Sequence, residues 1–216
     1  MRKPLVRKLF QGLSLCILCC MSCGCRGIAY PLKHYEEAYT KSALEVPTPD
    51  AARMAGLPKR DVDRIEHGRY LVQIAGCAAC HTDGALVGEP SLTHELAGSH
   101  LGVAYTDPFA DRFPGIAYPS NLTPDAKTGL GKWTDNQIAE AIRNGRAGNA
   151  PGHLVVMSWP LYQQMTDEDL NAIVAYLRSI PAVENKVPTR VSPGTKGSTS
   201  YVYFGVFRSG PEIQGH

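Results

Sequence analysis

Cys77, Ala78, Ala79, Cys80 and His81 form the stretch of this 216-residue sequence whose residue types and spacing point most directly to a chemistry. Two cysteines three positions apart on a helical turn bring both sulfurs to one edge, where each can form a thioether with a vinyl group of a haem. The histidine directly after the second cysteine then points a ring nitrogen at the iron, for which imidazole is a standard ligand. Three other chemistries use such a pair and fit less well. A dithiol redox couple belongs in a strand–helix setting, which is not evident around residue 77. A zinc centre needs four ligands, and no second cysteine pair or paired histidines at ligand spacing stand beyond residue 25. A disulfide across three residues constrains little chain.

A haem iron has a second axial place. Of the five methionines, Met1 and Met21 belong to the leader and Met54 precedes the domain, which leaves Met157 and Met165. Met165 stands directly before Thr166, where it can pack on Leu170 as a hydrophobic staple. Met157 lies in a loop before Trp159 and Pro160, from which a long thioether could reach the iron; it is the preferred ligand, with Met165 and His153 as alternatives. The other histidines, His34, His67, His94, His100 and His216, read as surface or hydrogen-bonded residues.

Elements must hold these groups in place. Val62, Ile65, Tyr70, Val72 and Ile74 lie in a run with helical character that ends at the cysteine pair. Thr134 with Gln137 three residues on marks a capping box, followed by an apolar face of Ile138, Ala141 and Ile142 and a stop at Gly145. Thr166 and Asp169 resemble a second box, and Leu170, Ile173, Val174 and Leu177 recur at helical spacing until Pro181. Between the helices, residues 82–133 and 146–165 are rich in the chain's 21 glycines and 16 prolines and show no strand alternation. Irregular stretches this long need an organiser inside the domain, and a buried haem would serve. After Pro181 the chain turns polar and flexible, then aromatic over 201–207, which reads as a terminal strand packing back on the domain or as a docking strip.

The N-terminus has its own pattern. Arg2, Lys3, Arg7 and Lys8 precede an apolar run over 9–21 and then small residues, the order of a secretory signal that is too short to span a membrane. Five of the seven cysteines, Cys16, Cys19, Cys20, Cys23 and Cys25, fall in or just after this run. Lipidation at Cys23, anchoring the chain to a membrane, and simple cleavage with release both remain open. Apolar content of 44% with 19% charged residues describes an ordinary globular chain. Loss of the first 22 residues removes four basic groups and no acid, which leaves no basic patch for nucleic acid. The expected organisation is a signal over 1–25, a leader over 26–60, a haem domain over 61–183 and an extension over 184–216.

The segments GRYLVQIAGCAACHTDG, LAG at 96–98, YPSNLTPDAKTGLGKWTDNQIAEAIRNG and MSWPLYQQMTDEDLNAIVAYLRSIPAVENKVP resemble the single-haem class I cytochromes c. In particular they look like the cytochrome modules that accompany bacterial dehydrogenases. The resemblance covers roughly residues 64–188. It implies an all-α class I cytochrome c fold, with about three main helices and long loops around one covalently bound haem c. The first and last helices would cross, with Gly68 letting the first approach Tyr176 and Leu177. Tyr118, Asn121 and Trp133 would line the haem edge and reach its propionates, and Met157 matches the family's iron-ligand position. The function implied is electron transfer without catalysis of its own, from a periplasmic dehydrogenase or cytochrome to a downstream cytochrome or oxidase. Alternatives are a haem-binding subunit of a dehydrogenase complex, or a sensor or peroxidase-like enzyme with an open sixth site. Two features depart from the family: the longer insert over 99–113, and Ser158 where proline usually follows the methionine.

Overall fold

The computed structural model describes residues 44–108, 112–147 and 152–204. The expected signal, the lipidation cysteines and the expected leader up to residue 43 lie outside the described residues, as do residues 205–207 of the aromatic stretch.

Two helices form the frame. Helix α2 (Lys59–Ile74) follows the short helix α1 (Ala51–Met54) and carries Asp61 in its first turn, where the helix dipole favours an acid. It buries Ile65, Gly68 and Val72 along one side. Tyr70 and Ile74, expected in the apolar run, are 59% and 61% exposed, because in a 3.6-residue helix they fall on the side opposite that stripe. The run is also broken before the cysteine pair. Gly76 adopts a left-handed φ of 69° and separates α2 from a one-turn helix of its own, α3 (Cys77–His81).

Two further helices, α4 (Asp135–Asn144) and the short α5 (Trp159–Tyr162), lead to helix α6 (Asp167–Ser179), which crosses α2 and buries Leu170, Ile173, Val174, Tyr176 and Leu177. The closest point of the crossing is Gly68. A Cβ there would overlap the backbone carbonyl of Ala172 and lie 2.9 Å from the Tyr176 Cβ. The nearest partners of Gly68 are therefore Ala172 and the expected Tyr176. Because the obstacle is backbone, Gly68→Ala should destabilise the holoprotein by about 3 kcal/mol, at the upper end of overpacking costs. A denaturant midpoint within error of the wild type would overturn this view of the crossing.

The Thr134–Gln137 box caps α4 in full: the Gln137 amide donates to Thr134 Oγ1 at 3.2 Å, and the Thr134 amide donates to Gln137 Oε1 at 2.8 Å. Gly145 ends the helix with a φ of 62°. The start of α6 differs from the expected box. The Asp169 amide donates to Thr166 Oγ1 at 3.1 Å, but the Asp169 carboxylate accepts the Thr166 hydroxyl at 2.9 Å and His67 Nε2 of α2 at 2.8 Å. Thr166 thus caps the helix, and the Asp169 carboxylate holds the cap hydroxyl and ties α6 to α2. The bond from His67, then that from Thr166, holds its carboxyl below the usual carboxylate range. A group with a depressed folded pKa contributes stability above its unfolded pKa and loses that contribution as pH falls through the folded value. Stability should therefore decline as pH drops below about 4, the ordinary Asp range, and Asp169→Asn should flatten that part of the profile while lowering the plateau above it. Parallel profiles for the two proteins would count against the bond.

Three expectations change here. Residues 44–50 do not pack as a leader: Val46 is 3% exposed in the core, its amide donates to Gln73 Oε1 at 3.0 Å, and the Tyr176 hydroxyl donates to the Pro47 carbonyl at 2.7 Å. The domain is not purely helical. Strands β1 (Gly102–Ala104), β2 (Ile116–Ala117) and β3 (Tyr201–Val202) form a sheet in the order β2-β1-β3, antiparallel for the first pair and parallel for the second. Strands of two or three residues are too short to show alternation, so nothing in the sequence period announced them. The insert over 99–113 supplies β1. Finally, the segment after Pro181 is fixed along the domain: Val191 and Ile116 exchange backbone hydrogen bonds of 2.8 and 3.0 Å, the Gly194 amide donates to the Phe113 carbonyl at 2.8 Å, and β3 lies on β1.

Candidate functional site

Helix α3, the sheet, α4, α6 and the loop before α5 enclose a cavity of about 430 Å³, within the usual range of cofactor and ligand sites. Its walls are mostly apolar, with Ile138, Ala141 and Ile142 from α4 and Ile173 and Leu177 from α6 facing it. The apolar faces read from the sequence thus share one cavity. Cys77, Cys80 and His81 line it as well.

His81 is set by two loops that the sequence does not place beside it. Its ring Nδ1 lies 2.7 Å from the Ser120 carbonyl. A carbonyl can only accept, so Nδ1 carries the proton and Nε2 keeps its lone pair for a metal. Burial pushes the His81 pKa down, against the opposing effect of the Ser120 bond, which keeps the ring neutral. The backbone of the same turn is pinned by residues 96–98: the Gly98 amide donates to the His81 carbonyl at 2.8 Å and the Leu96 amide to Thr82 Oγ1 at 3.1 Å. A side chain at Gly98, whose φ is 88°, would meet the Asn121 amide at 2.8 Å.

Both cysteines are free thiols and half-buried. Burial pushes the Cys77 thiol up to about 11 and raises Cys80 as well. A redox or nucleophilic dithiol needs a lowered thiol pKa, so this environment disfavours that chemistry. Among the described residues no group of three or more His, Cys, Asp or Glu is arranged to hold a metal ion; the pair is not half of a protein-only cage.

The three candidates for the second axial place, Met157, Met165 and His153, all line the cavity. Their surroundings differ. His153 is exposed and stacks on Trp159, with ring centroids 4.9 Å apart. Met165 packs against the core cluster. Met157 follows Val156, whose φ of 72° puts a β-branched residue in the left-handed region. Such backbone strain persists only where the surroundings impose it. The loop is tied at its base, where the Leu154 amide donates to the Gly145 carbonyl at 2.7 Å and Trp159 Nε1 donates to the Leu154 carbonyl at 3.1 Å. Ser158, in place of the expected proline, precedes α5 as its N-cap residue.

Of the three residues expected at the haem edge, Tyr118 and Trp133 line the cavity and Asn121 does not. The Asn121 side chain is 1% exposed and fully used: its Nδ2 donates to Thr128 Oγ1 and the Val183 carbonyl, and its Oδ1 accepts from the Thr123 amide and hydroxyl. It fastens the 121–128 loop to the chain after α6, which corrects the propionate role expected of it. Three residues that sequence reasoning passed over also belong to the site. Ser120 contributes a backbone carbonyl, which carries no sequence signal. Tyr162 and Arg190 line the cavity from positions far along the chain.

Cysteines, a neutral half-buried imidazole and an apolar cavity in one place agree with a family match: the profile of the Cytochrome c family fits residues 65–181. The chain belongs to the cytochrome c family. Among similar proteins are the cytochrome c subunit of a quinone alcohol dehydrogenase of Gluconacetobacter polyoxogenes, 32% identical over 57% of this chain and 23% of that protein, and the fructose dehydrogenase cytochrome subunit of Gluconobacter japonicus, 34% identical over 52% and 20%. The gluconate 2-dehydrogenase cytochrome c subunit of Pantoea cypripedii is 32% identical over 52% of this chain and 22% of its own length. This cytochrome c chain therefore matches about a quarter or less of each of these relatives. The cytochrome c family implies covalently bound haem c with iron, and the residues around the cavity suit it: an apolar enclosure for the macrocycle, two thiols at its wall and an imidazole held in the ligating tautomer. Among the described residues no helix is long and apolar enough to cross a membrane.

Proposed function

We propose that this cytochrome c carries one electron at a time on a single haem c, held by thioethers at Cys77 and Cys80 and ligated by His81 and Met157. The observation that carries the reading is His81: a half-buried imidazole whose Nδ1 is committed to the Ser120 carbonyl at 2.7 Å in the wall of an apolar cavity that Met157 also lines. When bound, the haem supplies a reversible ferric–ferrous couple. The chain's own part is to fix the imidazole, exclude water with the α4 and α6 faces, and present the Met157 thioether, a soft donor that favours the ferrous state. Tyr118 and Trp133 offer hydrogen-bond donors to the propionate edge. With both axial places filled the iron has no open site, which sets a carrier apart from a haem sensor or peroxidase-like enzyme.

The relatives, which are cytochrome subunits of dehydrogenases, support a dehydrogenase as the electron donor. A periplasmic dehydrogenase, acting directly or through a complex of which this chain is a subunit, supplies the electron, and a cytochrome or oxidase takes it. The signal over 1–25 directs export, and cleavage or acylation near Cys23 sets whether the protein is released or membrane-bound. The haem domain is built on the family-matched residues 65–181, with residues 44–50 and 184–204 packed against them.

The test is the holoprotein itself. Haem staining after denaturing electrophoresis and a haem-to-polypeptide ratio of one are expected, with a one-electron titration and no carbon monoxide adduct of the reduced form. Haem that acid-acetone extraction removes would sink the covalent assignment; rapid carbon monoxide binding would favour the sensor or peroxidase alternative.

A further inference from the structure

The cavity wall has one conspicuous charge. Among the described lining residues Arg190 is the only Lys, Arg, Asp or Glu, and it comes from the segment after the last helix of the family match, which ends at residue 181. We propose that Arg190 supplies the fixed positive charge that pairs with a carboxylate on the propionate edge of the haem, so that the C-terminal extension sets the haem's reduction potential. The proposal rests on the haem reading above and adds a residue and a function that it lacks.

The local structure prepares Arg190 for this. Its guanidinium lies over the Tyr105 ring, 4.6 Å from the centroid, and its Nε donates to the Tyr105 hydroxyl at 3.3 Å. The Tyr105 hydroxyl in turn donates to the Val191 carbonyl at 3.2 Å. Val191 is locked to Ile116 by two backbone hydrogen bonds, and Ile116 belongs to the sheet whose Val103 and Ala117 line the cavity, followed by Tyr118. Stacking on an aromatic ring and a backbone held on both sides keep an otherwise mobile side chain in place.

Among the described residues the contacts of the Arg190 guanidinium are with Tyr105. A planar guanidinium with free N–H groups matches a carboxylate in geometry and charge. Haem c attached through its vinyl edge leaves its two carboxylates at the other edge, and nothing else lining the cavity among the described residues carries a permanent positive charge to meet them. Ferric haem carries one more positive charge than ferrous haem, so a cation at the propionate edge disfavours oxidation and raises the potential.

The experiment is a mediated redox titration of the holoprotein in its Arg190→Gln, Arg190→Lys and Lys196→Gln forms. Arg190 is exposed at the rim, so solvent screening limits the effect to roughly threefold in the oxidation equilibrium, or ~28 mV at 59 mV per decade for a one-electron couple. Arg190→Gln should lower the midpoint by that amount with haem content and axial-ligand bands unchanged. Arg190→Lys should restore most of the shift. Lys196→Gln, which removes a cation from the same segment outside the cavity lining, should leave the midpoint where it was. A wild-type midpoint in Arg190→Gln, or an equal drop in Lys196→Gln, overturns the proposal. Failure of the haem reading shows separately, as wild-type protein without covalent haem, and would remove the basis of this proposal too.

Discussion

Met157→Ala should abolish the weak sulfur-to-iron band of the oxidised protein, open the reduced iron to carbon monoxide and lower the midpoint potential by more than a decade of the equilibrium, about 59 mV or more. The side chain it removes is a soft donor that favours ferrous iron, and its loss leaves water or a weaker ligand in its place. The structure supplies the contrast that makes the result decisive. Met165 lines the same cavity but packs with the core cluster, so Met165→Leu preserves volume and should keep the band, at a cost below about 1.5 kcal/mol. His153 also lines the cavity but stacks on Trp159, and His153→Gln should leave the spectrum unaltered. Retention of the band in Met157→Ala with its loss in Met165→Leu would reverse the assignment. The strained φ of 72° at Val156 adds a local reason to assign Met157, because backbone strain of this kind gathers at ligand clamps.

Cys77→Ser and Cys80→Ser should each cut covalent haem sharply, and the double variant should eliminate it. The same changes should lower the amount of folded protein. A cavity near 430 Å³ left without its occupant would cost on the order of 10 kcal/mol at about 24 cal/mol per Å³. That is comparable to the whole stability of a small domain, about 5–15 kcal/mol. Cofactor binding and folding are therefore coupled. Pulse-labelled export, followed by haem staining and protease challenge, measures both effects. Double variants that reach wild-type levels of protease-resistant protein would show that the domain does not depend on its haem.

Much of this was present in the linear sequence because its physical cause is local. The cysteine pair and the following histidine act within one helical turn. The Thr134–Gln137 box, the Gly145 stop and the apolar stripes of α4 and α6 are set by neighbours three or four residues apart. Gly68 could be singled out as a close-approach position, although the crossing meets Ala172 and Tyr176 where Leu177 was expected for one contact.

What the tertiary structure alone decided depends on contacts across long separations. The Ser120 carbonyl fixes the His81 tautomer from 39 residues away, and a carbonyl belongs to every residue type. Asn121 could be recognised as important, but only its four hydrogen bonds reveal that it ties loops together. The small sheet pairs strands too short for a periodic signal, one of them roughly a hundred residues beyond its partner. Arg190 reads in the sequence as a solvated cation in a polar tail; the ladder through Val191 and Ile116 is what brings it to the cavity wall. Local chemistry therefore pointed to the cofactor and to where the chain would hold it. Which carbonyl orients the imidazole and which charge stands at the rim follow from how the chain folds back on itself.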